Sequence, residues 1–131
     1  MKNSIITACL SVAKKHNTPE LHPQWNNYSH FSFFVQDSKI LAWGTNKIGP
    51  PLVLLGYKST SKIHSEIMAF RKAKSKLEYK KSFEIVNIRL NRNNELRMSK
   101  PCPCCMRFLK ELGCSSVTFS TDEGFNVFKK E

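Results

Sequence analysis

The spacing of apolar residues along the chain predicts three helices. In the first, Ile5, Cys9 and Val12 recur every three or four positions, which places them on one side of a helix. In the second, Ile67 and Phe70 begin a similar stripe. The predicted helices cover residues 4–15, 63–80 and 102–112, and a glycine follows the last one as a stop signal.

Five shorter segments have the composition of β-strands. Residues 31–36 (FSFFVQ) and 39–44 (KILAWG) flank a short polar turn, which predicts a hairpin. Residues 83–90 (FEIVNIRL) have a nearly continuous apolar centre, which indicates a strand buried within the sheet. Residues 115–120 and 125–128 flank the turn sequence TDEG and predict a closing hairpin.

The predicted order of elements is α-β-β-α-β-α-β-β, with loops at 16–30 and 45–63. This alternation favours an α/β fold of three layers, α-β-α, built around a single mixed five-stranded sheet. The last two strands are joined by about four residues, too few for a crossover helix, and are therefore predicted to be antiparallel. We predict one domain covering residues 1–131.

Composition narrows the class of protein. The chain has 131 residues, with 21 Lys and Arg against 10 Asp and Glu, and a net charge of +11. Such a charge favours phosphorylated or polyanionic partners, although it also occurs on ordinary solvated surfaces. Five cysteines, three of them within four positions, make a poor disulfide framework and predict an intracellular, reducing environment. No apolar run approaches the ~20 residues of a membrane span, so no membrane partner is expected.

The starts of the second and third predicted helices carry the residues best suited to chemistry. His64 and Glu66 lie at the first, and Cys102, Cys104 and Cys105 at the second. Imidazole and thiolate are ligands that Zn²⁺ prefers, and three protein ligands leave one position open. Residues three apart share a helix face whereas residues two apart diverge, which favours Cys102 with Cys105 over Cys102 with Cys104.

His64 and Glu66 are two residues apart, so their side chains are not expected to bind one ion side by side. This leaves the Glu66 carboxylate as a proton carrier. A purely structural zinc site would need a fourth protein ligand, yet Cys9 and Cys114 are isolated and have the character of core residues. A cluster without metal is the remaining alternative. A three-ligand site beside a carboxylate is better explained by catalysis.

The combination of His64-x-Glu66 with Pro101-Cys102-x-x-Cys105 resembles the signature of the zinc-dependent cytidine deaminase superfamily. HSEIMAFRKAK is similar to the His-Ala-Glu helix of nucleoside, nucleotide and tRNA deaminases, and WGTNKIG to the Gly-x-Asn turn that precedes it. The resemblance covers nearly the whole chain. It implies a zinc hydrolase with His64, Cys102 and Cys105 as ligands and Glu66 as the proton carrier. Asn46 would contact the sugar or base, or alternatively would be present only because asparagine favours the conformation of the turn.

Four features separate this chain from the family pattern or divide its branches. Ser65 replaces the usual alanine, and Cys104 is an additional thiol. The antiparallel ending is similar to free-nucleoside and some polynucleotide deaminases. HSEIMAFR, in contrast, is similar to the tRNA adenosine and deoxycytidylate branches.

The resemblance therefore implies conversion of cytosine to uracil in a free cytidine or deoxycytidine nucleoside or nucleotide. The alternative is deamination of cytosine or adenine in single-stranded DNA or RNA. A non-catalytic, zinc-stabilised binding module is a further alternative, which the presence of Glu66 argues against. A homo-oligomer is possible.

Two sets of residues bear on the substrate. Aromatic side chains that could stack on a base, or equally anchor the core or rim, are Trp25, Tyr28 and Trp43. Cations that could contact a polynucleotide, or equally form a solvated helix face, are Arg71, Lys72, Lys74, Lys76, Lys80 and Lys81.

Overall fold

The computed structural model describes residues 3–18, 28–48, 52–54, 57–59 and 62–129. These residues form three helices and ten strands. The helices are α1 (Asn3–His16), α2 (Ser65–Ala73) and α3 (Pro103–Leu112). The strands are β1 (Tyr28–Gln36), β2 (Lys39–Thr45), β3 (Lys47–Ile48), β4 (Leu52–Leu54), β5 (Tyr57–Ser59), β6 (Lys62–Ile63), β7 (Phe83–Asn91), β8 (Leu96–Arg97), β9 (Cys114–Thr121) and β10 (Gly124–Lys129). No helix in this described part of the chain is long and apolar enough to cross a membrane.

One mixed sheet organises the fold. Its strand order is β10-β9-β7-β1-β2, and β8 adds a short sixth strand beside β7. β7 and β9 are parallel, whereas β1 is antiparallel to both β7 and β2. β9 and β10 are antiparallel. The predicted five-stranded mixed sheet with an antiparallel final pair is therefore confirmed.

Helices cover both faces of this sheet, as the three-layer prediction requires. On one face, α1 packs Cys9 and Ala13 against alternate residues of β1 and β7, such as Phe33 and Ile88. On the other face, α2 and α3 pack over the opposite set. The buried residues of this second cluster include Phe34, Ile67, Phe70, Ile85, Phe108 and Leu109.

Most boundaries lie within about three residues of the sequence prediction, and two segments differ more. The second helix ends at Ala73, not at residue 80. Beyond this end, the Gln36 side-chain amide accepts from the Glu78 N–H at 2.9 Å and donates to the Glu78 carbonyl at 2.9 Å. These groups are thereby held in a turn instead of continuing the helix. The segment 45–63, predicted to be a loop, also contains two short antiparallel strand pairs, β3 with β6 and β4 with β5.

The starts of α2 and α3 are brought close to the sheet and to each other by local features. Gly44 of β2 lies directly beneath α2, where an added Cβ would be 2.5 Å from the Ala69 backbone nitrogen. α3 begins with Pro103 in its first turn and ends at Gly113, which has the left-handed conformation at φ 100°. Both helices therefore present their N-terminal ends at the same edge of the helical layer.

Candidate metal and catalytic site

Three potential metal ligands meet where α2 and α3 begin. The ligand atoms of His64, Cys102 and Cys105 all lie within 4.8 Å of one another. The His64 Nδ1 atom is 3.2 Å from the Cys105 Sγ and 3.7 Å from the Cys102 Sγ. The Cys105 side chain is buried, whereas the other two are half-buried.

Helix capping places these side chains. His64 is the N-cap of α2 and Cys102 the N-cap of α3, and both have extended backbone conformations. The Cys102 Sγ accepts the backbone N–H of Cys105 at 3.4 Å, as a capping serine or aspartate oxygen does at the third helical position. The ligands therefore lie at two helix N-termini, where free N–H groups favour negative charge.

This donor set fits a zinc ion. With Zn–S bonds of about 2.3 Å and Zn–N bonds of about 2.0–2.1 Å, a tetrahedral site has ligand-to-ligand edges of roughly 3.5–3.8 Å. The two distances from the His64 Nδ1 atom, 3.2 and 3.7 Å, lie close to that range. Burial, and next the Glu66 carboxylate, raise the pKa of the Cys105 thiol. A cation between the side chains would favour the thiolate instead.

The third thiol of the cluster lies apart from this group. Cys104 is exposed and is not among the atoms that meet at His64. It occupies the second position of α3, between the N-cap Cys102 and the inward-facing Cys105. The structure thus places the pair three residues apart, and not the pair two residues apart, beside the histidine.

Glu66 occupies the second position of α2 and points toward the sheet. Its side chain is 5% exposed. The Asn87 Nδ2 donates to the Glu66 Oε2 at 3.0 Å, and the Ser65 Oγ lies 3.2 Å from the Glu66 Oε1. The carboxylate is therefore held by its own partners and is not one of the three grouped ligands.

Sequence reasoning missed Asn87 and Ser32. Asn87 lies at the centre of β7, and Ser32 lies opposite it on β1. The Ser32 Oγ donates to the Asn87 Oδ1 at 2.6 Å. A signal was present in the sequence, since each is a polar residue between apolar neighbours of a buried strand. Such a residue requires a hydrogen-bond partner in the core, and here the partners lead to Glu66.

The four predicted substrate-contacting residues have different surroundings. Asn46 is buried after the end of β2, and its Oδ1 accepts the backbone N–H of His30 at 3.2 Å. Trp43 packs into the α1 cluster, on the opposite face of the sheet from α2, with its ring 4.8 Å from that of His16. Tyr28 begins β1, where only its backbone is described, and Trp25 lies outside the described residues.

The predicted Gly-x-Asn turn also has a different local structure. Gly44 lies inside β2, which continues to Thr45, so the segment is a strand and not a turn. The glycine is required there by the close approach of α2. The hydrogen bond from the His30 N–H to Asn46 holds the asparagine against β1 instead.

The predicted basic run lies at the far end of α2 from His64. Its six cations are exposed, and several have partners on the protein itself. The Lys72 Nζ is 5.5 Å from the centre of the Trp43 ring, and the Lys76 Nζ donates to the Leu41 carbonyl at 3.2 Å. Lys81 forms exposed ion pairs with Asp37 and Glu78. This placement agrees better with a solvated surface than with a path leading to the candidate site.

The chain has the cytidine deaminase-like fold, which it shares with solved dCMP and cytidine deaminases. A dCMP deaminase from the cyanophage S-TIM5 matches with a TM-score of 0.58 and 19% sequence identity, over 91% of this chain and 84% of that protein. The same enzyme has been solved in complex with dCMP and dUMP. A cytidine deaminase from Burkholderia pseudomallei matches with a TM-score of 0.60 and 16% identity, over 98% of this chain and 92% of that protein.

A cytidine deaminase from Mycobacterium leprae gives a similar result, with a TM-score of 0.57 and 15% identity over 95% of this chain and 91% of that protein. No protein-family model matches the sequence. No curated protein matches it significantly. The nucleotide and nucleoside enzymes match with nearly equal scores, so the fold does not separate the two branches.

Proposed function

We propose that this protein is a zinc-dependent hydrolytic deaminase that converts cytosine to uracil in a free cytidine or deoxycytidine nucleoside or nucleotide. The observation that carries the proposal is the buried carboxylate of Glu66, held next to the group formed by His64, Cys102 and Cys105. A site with three metal ligands and one separately held carboxylate contains the parts that hydrolytic deamination needs.

In this proposal His64, Cys102 and Cys105 hold one zinc ion. When bound, the ion would supply Lewis acidity that makes water a competent nucleophile at neutral pH. Glu66 would accept one proton from the attacking water and deliver it to the ring nitrogen of cytosine. It would then take the remaining proton from the hydroxyl added to the ring carbon and pass it to the amino group, which leaves as ammonia while the carbonyl of uracil forms. Cytosine and water are consumed, and uracil and ammonia are formed. Glu66 returns to its starting protonation state.

Two alternatives have less support. A structural zinc site has no need of a buried carboxylate that lies beside the ligands without being one of them, and burying a carboxylate is costly unless it is hydrogen-bonded, as Glu66 is. A binding module without catalysis likewise has no need of Glu66. The contacts from Asn87 and Ser65 orient this carboxylate independently of the three ligand side chains, which supports a proton-carrying role over a packing role.

Cytosine is the proposed base because both kinds of similar solved structure act, by their names, on cytosine compounds. The antiparallel final pair of strands supports the same choice. We propose a single deaminase domain over residues 1–131, with nucleosides and nucleotides as its partners. An intracellular location fits the five cysteines, none of which forms a disulfide.

The proposal is tested with Glu66→Gln, which keeps the size of the side chain but cannot carry a proton. The matched control is Glu84→Gln, a carboxylate on β7 that bonds Ser116 away from the site. Turnover of cytidine, deoxycytidine, their monophosphates, adenosine, and single-stranded DNA and RNA is followed by mass spectrometry, and zinc by elemental analysis. Glu66→Gln should keep zinc and lose about 10²–10⁴-fold in kcat, whereas the control should match wild type.

Three results would contradict the proposal. Full turnover by Glu66→Gln would refute the role of the carboxylate. A wild-type protein that binds zinc but deaminates none of these substrates would refute the activity. Turnover of polynucleotides alone, weakened by added salt, would refute the choice of a free nucleoside or nucleotide.

A further inference from the structure

Ser65, the residue between the metal-ligand histidine and Glu66, connects α2 to the sheet. Its Oγ lies 2.7 Å from the Ser32 Oγ of β1 and 3.2 Å from the Glu66 Oε1. Both serines are buried, with 3% and 0% of their surface exposed. The replacement of the usual alanine therefore adds a hydroxyl at a position where no water can satisfy it, and the protein supplies both of its partners.

Asn87 forms the second connection, and its neighbours fix the orientation of its amide. The Asn87 Nδ2 faces the Glu66 Oε2 at 3.0 Å and the Ser99 carbonyl at 3.2 Å. The Ser99 carbonyl can only accept a hydrogen bond, so the nitrogen must be the atom on this side. The Asn87 Oδ1 consequently faces Ser32, whose hydroxyl donates to it at 2.6 Å.

Counting hydroxyl protons shows how the two carboxylate oxygens differ. The single proton of Ser32 is committed to the Asn87 Oδ1, because that oxygen cannot donate. The single proton of Ser65 is then shared between the Ser32 Oγ at 2.7 Å and the Glu66 Oε1 at 3.2 Å. The Glu66 Oε2 thus receives a committed donor, whereas the contact of its Oε1 within the described part of the chain is the longer and divided one with Ser65.

The network is anchored beyond Asn87 by further buried groups. The Ser99 Oγ donates to the Asn87 carbonyl at 2.9 Å, and the Ser120 Oγ lies 2.8 Å from the Ser99 Oγ. These residues belong to β7, to β9 and to the segment that leads into α3. The hydrogen bonds therefore connect the carboxylate to the sheet and to the segment that carries the cysteines.

We propose that Ser32, Ser65 and Asn87 are positioning residues for the proposed deamination. They fix the Glu66 carboxylate through its Oε2 and leave the Oε1 as the oxygen that exchanges protons with water and substrate. This inference rests on the proposed function. It assigns to Ser65 and to two strand residues a catalytic effect that acts through Glu66 and not through the substrate or the metal.

The test compares Ser32→Ala, Ser65→Ala and Asn87→Ala with Ser116→Ala, a buried serine of β9 whose hydroxyl bonds Glu84 outside the network. Each variant is assayed for kcat and KM on the best substrate, for zinc content, and for thermal unfolding. Misplaced neighbours of a reactive group typically cost 10–100-fold in activity. We expect kcat to fall about 10-fold in each serine variant of the network and up to about 100-fold in Asn87→Ala.

The readouts separate positioning from support of the fold. KM should stay within about twofold of wild type and zinc content should not change, because neither the substrate-binding residues nor the ligands are altered. The double variant Ser32→Ala/Ser65→Ala should lose less than the product of the two single losses, since the two hydroxyls contact each other and belong to one hydrogen-bond network. Ser65→Ala removes one oxygen atom and adds a good helix former, so it provides a test even where Asn87→Ala is unstable.

Each outcome decides the inference. A wild-type kcat in both serine variants, a rise in KM alone, or loss of zinc would overturn it while leaving the proposed deaminase activity intact. Absence of turnover in the wild-type protein would overturn the proposed function and this inference together.

Discussion

Replacing Gly44 with alanine should disturb both the stability of the protein and the proposed zinc site. A Cβ at this position would lie 2.5 Å from the Ala69 backbone nitrogen, 2.7 Å from the Met68 carbonyl carbon and 2.9 Å from the Met68 Cβ. The first two atoms belong to the backbone of α2 and cannot rotate away. The helix or the strand must therefore move.

The size of the effect follows from these distances. Ordinary contacts of a Cβ begin at 3.4 Å, so the closest approach requires a displacement of about 0.9 Å. Overpacking of this kind typically costs ~1–3 kcal/mol. The same displacement would stretch the hydrogen bonds from Ser65 to Ser32 and from Asn87 to Glu66. We expect a loss of about 3 kcal/mol in the free energy of unfolding, together with weaker zinc binding through His64.

Urea unfolding and competition with a zinc-binding dye measure the two quantities, and Gly113→Ala is the control. Gly113 has φ 100° but no atom within 4 Å of an added Cβ, so its substitution costs only the left-handed strain, about 1–2 kcal/mol. That variant should keep its zinc affinity. A Gly44→Ala protein within about 0.5 kcal/mol of wild type and with unchanged zinc affinity would refute the reasoning, because overpacking against backbone should exceed that value.

Further predictions concern the thiols and the end of α2. Cys105→Ser should lose zinc and Cys104→Ser should keep it by elemental analysis; loss from Cys104→Ser alone would reverse the assignment. Gln36→Ala should lower the free energy of unfolding by about 2–3 kcal/mol in urea, because it leaves the Glu78 N–H and nearby carbonyls without their partner; an unchanged midpoint would contradict this. Burial raises the pKa of the Cys9 thiol to about 12. The native state therefore keeps a proton that the unfolded chain loses at its lower, ordinary pKa. The free energy of unfolding should fall as the pH rises from the ordinary thiol pKa toward that of Cys9, and should fall less in Cys9→Ala. Parallel pH profiles of urea unfolding for the two proteins would refute this prediction.

The elements of the main sheet could be predicted from the sequence because their apolar patterns are local. Phe31 and Phe33 alternate with Ser32 along β1, and the short turn after β9 permits only an antiparallel partner. The end of α2 could not be predicted in this way. The residues that follow it are held by Gln36, which is distant in sequence and reaches the backbone at Glu78 only in the folded chain.

The candidate site was predictable to the extent that helix geometry determines it. The three-residue spacing of Cys102 and Cys105 predicted one shared face, and the structure brings both to His64. The surroundings of Glu66 were not predictable, since Asn87 joins it from another strand. The surroundings of Trp43 were left open by the sequence, since its ring could stack on a base or anchor the core or rim; the alternation of β2 turns it toward α1.

The start of α2 carries two functional side chains, His64 and Glu66, that face different neighbours. Residues two apart on a helix point in nearly opposite directions. His64 therefore faces the cysteines of α3, whereas Glu66 faces Asn87 on the sheet. This arrangement keeps the carboxylate close to the proposed metal ligands without making it one of them. Ser65, between the two, contacts both Ser32 and Glu66, so in the proposed mechanism its hydroxyl becomes part of the support for the Glu66 carboxylate.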